Sequence, residues 1–130
     1  MAIPLSRKPQ AFVCKEDWDK PAAEQTRFML RNFDRVQWAR FFESLGAAGG
    51  SLRIGGSLAN EVLLECLAGW ENFRDEDGPI VFDPKDVGAC LDRMTAGQRL
   101  ECAAELFARN KMTEGDRKNL PLPRGARQAG

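Results

Sequence analysis

The chain has 130 residues, 43% hydrophobic and 29% charged, a balance that fits one folded domain and excludes collagen-like, disordered and membrane-spanning classes. Its 19 lysines and arginines offset 19 aspartates and glutamates, so no overall field draws it onto nucleic acid or an anionic membrane. With no histidine and no tyrosine, imidazole-activated nucleophiles and imidazole metal ligation are excluded, and an enzyme is not expected.

Residues 1–24 are polar and interrupted by Pro4, Pro9 and Pro21, which predicts an extended arm anchored by Ala11, Phe12, Val13 and Trp18. The start holds no apolar stretch long enough for a signal peptide, and the longest aliphatic run, Val62-Leu63-Leu64, is far too short for a bilayer. The expectation is a cytoplasmic protein with reduced thiols. Cys14, Cys66, Cys90 and Cys102 form no C-x-x-C pair, so they read as small buried hydrophobes, with no metal or cofactor expected.

Residues 25–33 allow either an alternating strand or a helical stripe, and the strand is preferred. Asp34 is placed to cap a helix in which Val36, Trp38, Ala39, Phe41, Phe42 and Leu45 recur at three-and-four spacing up to Gly46. Residues 46–56 hold five glycines in eleven positions, as in a mobile loop; a phosphate-binding loop would need a Gly-Lys-Ser/Thr entry that is missing. A second helix is expected from Ser57, burying Leu58, Ala59, Val62, Leu63, Cys66, Leu67 and Trp70 and ending at Gly69.

Asp77-Gly78 signals a turn, with Ile80 to Phe82 returning as a short strand. A calcium loop over this stretch fails, because its first and twelfth positions would be Phe73 and Pro84. Asp83-Pro84 reads as the start of a third helix burying Val87, Cys90, Leu91 and Met94, and Thr95 with Gln98 as the capping box of a fourth. That last helix is expected to turn Leu100, Ala103, Ala104, Leu106, Phe107 and Ala108 inward. Beyond Met112 the apolar stripe stops. The predicted fold is mainly α: about four helices with a short strand or hairpin over residues 25–112, an arm at 1–24 and a flexible basic tail at 113–130.

Charge is locally segregated. Between residues 71 and 86 six acids face two bases, and from Arg109 onward six bases face two acids. Such patches are either solvated surface or steering elements for a partner or a second copy.

Thr26-Arg27-Phe28-Met29-Leu30-Arg31, followed by helices, then Gly69-Trp70-Glu71-Asn72-Phe73, Asp75-Glu76-Asp77-Gly78 and Ile80-Val81-Phe82, resembles the tail assembly chaperones of long-tailed bacteriophages. The resemblance spans residues 25–111 and does not account for the glycine-rich loop. It implies a non-enzymatic protein of the host bacterial cytoplasm. Such a protein would coat the tape measure protein, help recruit tail tube subunits through a longer frameshifted form, and be absent from the mature virion. Coating a long amphipathic helix calls for exposed apolar contact area, presented by one copy or by a homo-oligomer. Trp38, Phe41, Phe42, Trp70, Phe73 and Phe82 are the candidate client-facing rings, and Arg117, Lys118, Arg124 and Arg127 the candidate basic contacts. The alternative is a small helical nucleic-acid-binding or regulatory protein, in which residues 83–110 would imitate a helix-turn-helix. Against it, Arg99, Glu101, Glu105 and Arg109 give the last helix a face of mixed charge.

Overall fold

The computed structural model describes residues 8–47 and 55–119, with the side chains of 46, 47 and 111–119 left aside. A cap starts α1 (Arg35–Ala47): Asp34 Oδ1 accepts from the Gln37 backbone N–H at 2.8 Å, and Gln37 Oε1 accepts from the Asp34 N–H at 3.0 Å. Both helix-terminal donors are thereby satisfied reciprocally. Thr95 and Gln98 do the same at α4 (Ala96–Asn119), with bonds of 3.1 and 2.9 Å. Between them lie α2 (Gly56–Cys66) and the short α3 (Val87–Leu91).

The mainly α expectation is overturned: among the described residues the fold is mixed, with two antiparallel sheets beside these helices. In the three-stranded sheet β2 (Arg27–Leu30) is central, flanked by β1 (Gln10–Phe12) and β3 (Leu67–Glu71). Phe12 lies opposite Phe28, and Phe28 opposite Trp70. The register slips between Met29 and Leu30, so Met29 faces Gly69 and Leu30 faces Leu67, the mark of a β-bulge at Ala68. The second helix therefore stops at Cys66 and not at Gly69. Continuing it through Gly69 would cost about 1 kcal/mol relative to alanine, whereas leaving it as a strand satisfies the open edge of β2. The Arg31 N–H donates to the Cys66 carbonyl at 2.8 Å where the two elements part.

Other boundaries move for local reasons. Ser57 lies inside α2, whose cap position is Gly55 with no side-chain bond. Asp83 does not cap α3: its Oδ1 accepts from Lys85 N at 2.9 Å, and Asp86 takes the cap, accepting from Ala89 N at 3.1 Å. The hairpin pairs β4 (Arg74–Asp75) with β5 (Gly78–Pro79), earlier than the expected residues 80–82, although the Ile80 N–H still donates to the Phe73 carbonyl at 2.8 Å. Asp75 Oδ1 accepting from Asp77 N at 2.8 Å and Gly78 at φ 121° close the turn early, a backbone state that suits glycine. The α4 backbone continues through Asn119, past the expected end near Met112. No proline blocks a helix before Pro121.

The core joins Ala59, Val62, Leu63 and Cys66 of α2 to Cys102, Ala103, Leu106 and Phe107 of α4. Phe28 and Leu30 of β2, Phe33, and Phe41 and Leu45 of α1 close around them. Leu100, Ala104 and Ala108 face outward instead. Buried Asp17 ties the N-terminal segment down: Oδ2 accepts from Thr26 N at 2.8 Å, and Oδ1 pairs with the Lys20 ammonium at 2.9 Å. Burial by itself would raise its carboxyl pKa, but the Thr26 N–H and Lys20 outweigh this and hold it below the ordinary value. Because the folded-state pKa is the lower one, this stabilisation is complete above the unfolded value near ~4 and is lost as pH falls through the folded value. Asp17→Ala is expected to cost about 1–2 kcal/mol at pH 7, with the gap to wild type shrinking toward pH 3. Urea melts at both pH values check this, and an undiminished gap in acid contradicts it.

Candidate interaction surfaces

The candidate rings segregate into two clusters with different exposure. In the first, Phe33 packs on Phe41, Phe42 and Phe107 with centroids 5.1, 6.3 and 5.5 Å away, and Phe42 lies 5.0 Å from Phe107. Phe41 is sealed at 1% exposure, beneath the Arg40 guanidinium 4.6 Å from its ring centre. Trp38 and Phe42 are only half-buried and stack at 4.7 Å with planes 32° apart. The helical period explains the split: Phe41 and Leu45 take the inner stripe, Trp38 and Phe42 share a neighbouring row, and Val36 stands 70% exposed. The Trp38 indole N–H is itself buried and has no acceptor among the described residues.

The second cluster surrounds the tryptophan-to-turn stretch. Trp70 lies 4.8 Å from Phe73, 5.1 Å from Phe82 and 6.3 Å from Phe28, while Phe28 and Phe73 are 5.4 Å apart. Its indole N–H donates to the Ile80 carbonyl at 2.8 Å. Phe73 is buried, and Trp70 and Phe82 are half-buried. Asn72, at φ 60°, clamps the segment before β2: Nδ2 donates to the Ala23 and Gln25 carbonyls at 2.9 and 3.2 Å. Its own carbonyl accepts from Thr26 Oγ1 at 3.0 Å. Through Trp70 and Asn72 the Trp-Glu-Asn element thus holds hairpin, sheet and N-terminal segment together, while Glu71 stays exposed.

Sequence reasoning missed that clamp, Asp17, and a cleft between the hairpin and α3. The cleft, about 430 Å³, is lined by Asp75, Asp77, Pro79, Ile80, Val81, Ala89 and Arg93. Arg93 pairs with Asp75 across it, and Val81 is 84% exposed. The Asp-Gly turn signal and the acidic run over residues 71–86 pointed to this region, but not to a cleft. Arg117 and Lys118 fall on the last turns of α4, whereas Arg124 and Arg127, like loop residues 48–54, lie outside the described residues.

At the corner between α3 and α4, the Arg99 guanidinium donates to the Leu91 and Met94 carbonyls at 2.8 and 3.1 Å, and Arg109 is held by Glu105 at 2.7 Å. Arg99 and Arg109, the cations of α4 up to residue 110, are thus engaged internally, and α3 has five residues. All four cysteines are buried free thiols. The neighbouring Cys14 thiol and burial push the Cys102 thiol up, keeping it neutral. No group of three or more metal-ligating side chains occurs among the described residues, and none of their helices is long and apolar enough to cross a membrane. Comparison with family models, with curated proteins and with solved structures finds no match to this chain, so its functional reading rests on its own residues and their geometry.

Proposed function

We propose that this chain is a phage tail assembly chaperone of the host cytoplasm. It binds the apolar face of the tape measure protein, helps recruit tail tube subunits, and leaves before the virion is complete. The observation that carries the reading is the Trp38–Phe42 stack, packed against the core beside α4 yet only partly buried. Paired, partly exposed rings on one helix offer an adaptable apolar contact at little entropic cost, as helix-in-groove binding requires. The Trp70 cluster contributes by bracing the sheet, not by contacting the client. The protein acts through contact area and performs no bond-making.

Co-expression with the tape measure protein of the same phage is expected to keep that client soluble. Trp38→Lys, which places a charge in the stack, is expected to leave the chaperone folded by circular dichroism and the client in the pellet. A client that precipitates equally with and without the wild-type chain defeats the proposal.

A further inference from the structure

We infer that the cleft between the hairpin and α3 receives the basic C-terminal segment of a second copy of this chain, joining copies head to tail. The inference is independent of what the client is. The lining of the cleft offers apolar contacts in Pro79, Ile80 and the 84%-exposed Val81. Its rim is acidic: Asp75 is paired with Arg93, whereas the Asp77 carboxylate has no hydrogen bond or ion pair among the described residues. Residues 71–86 around it carry Glu71, Asp75, Glu76, Asp77, Asp83 and Asp86 against Arg74 and Lys85, a net −4.

Residues 120–130 present the complement. Leu120-Pro121-Leu122-Pro123 can cover Ile80 and Val81, and Arg124 and Arg127 can meet Asp77 and Glu76, with no acid in the segment to oppose them. The two prolines lower the entropy lost when it docks.

Geometry rules out the same chain as donor. Arg93 in the cleft stands three residues before the first residue of α4, so the cleft lies at the N-terminal end of that helix. The 24 residues from Ala96 to Asn119 carry the chain about 35 Å away at 1.5 Å per residue. From Asn119 to Arg124 an extended chain spans at most about 18 Å, half the distance needed to return. The two arginines therefore cannot both enter their own cleft, and a second copy must supply them. Such a contact uses two different surfaces and leaves one of each free, so it propagates into a ring or a filament. That is the geometry for covering a long client by linked weak contacts.

The test is sedimentation velocity on the full chain with two charge reversals. One is Asp77→Arg, at an exposed turn position. The other is Arg124→Asp combined with Arg127→Asp. The wild type is expected to self-associate at low salt and to dissociate as salt screens the contact. Each variant alone is expected to associate at least about tenfold more weakly, since like charges then face each other. An equimolar mixture of the two is expected to regain association, because each variant's tail again meets a cleft of opposite sign. A wild type monomeric at all concentrations, a variant that associates as the wild type does, or a mixture without rescue overturns the inference. So does a monomeric wild type whose cleft NMR signals move when its own tail is reversed. Client solubility upon co-expression is read separately, so a failure here is distinguishable from a failure of the chaperone role.

Discussion

Phe28→Ala is expected to destabilise the protein by about 3–5 kcal/mol, the range for emptying an aromatic site in a core. Phe28 is 1% exposed, sits on the central strand opposite both Phe12 and Trp70, and supports the edges of the Phe73 and Trp70 rings. Its removal opens a void against both flanking strands at once, and relaxation on one side is blocked by the hairpin held to Trp70. A domain of this size has about 5–15 kcal/mol of stability in all, so the variant should be marginal at 37 °C. Equilibrium urea denaturation measures the loss. A cost below about 1.5 kcal/mol, within the range of a volume-conserving swap, would mean that Phe28 is not a keystone of the sheet.

Asn110→Leu tests the join between α4 and the start of α1. Asn110 is 2% exposed; its Oδ1 accepts from the Phe33 N–H at 3.2 Å, and its Nδ2 donates to the Leu106 carbonyl at 2.6 Å. Leucine preserves the volume but offers no acceptor, so a buried backbone donor loses its partner at a cost of about 1–3 kcal/mol. The same variant should raise the hydrogen-exchange rate of the Phe33 amide specifically. Wild-type stability with unchanged protection at Phe33 would contradict the assignment.

These two positions differ in how readable they were. Phe28 stood in an apolar alternation that already favoured a strand, so its importance was visible. Asn110 carried no signal of its own in the sequence, because its partner lies 77 positions away. On α4, Leu100, Ala104 and Ala108 form an apolar row along one flank of the buried stripe, so they read as inward as plausibly as Ala103 and Leu106 did. The choice between adjacent rows was made by α2, which packs along only one of them. The candidate surfaces divide similarly. Aromatic content and charge segregation were plain in the residues, but Phe41 and Phe42 are consecutive, and only packing sealed one ring and left its neighbour partly exposed. The cleft takes residues from the hairpin, the strand exit and α3, and no single window of sequence contains it.

By itself, the order of residues determined where α1 and α4 begin and that the chain turns at Asp77-Gly78. Each of these is settled by bonds or torsions within about four residues. The tertiary structure alone decided that Leu67–Glu71 leaves the helix for the sheet, that Gln10–Phe12 joins it, and that Asn72 and Asp17 are clamps rather than surface groups. Those outcomes depend on a β2 edge, carbonyls and a backbone N–H that distant parts of the chain bring into reach. A helix end or a strand can be equally tolerable locally and be chosen by whichever arrangement leaves no buried donor or acceptor without a partner.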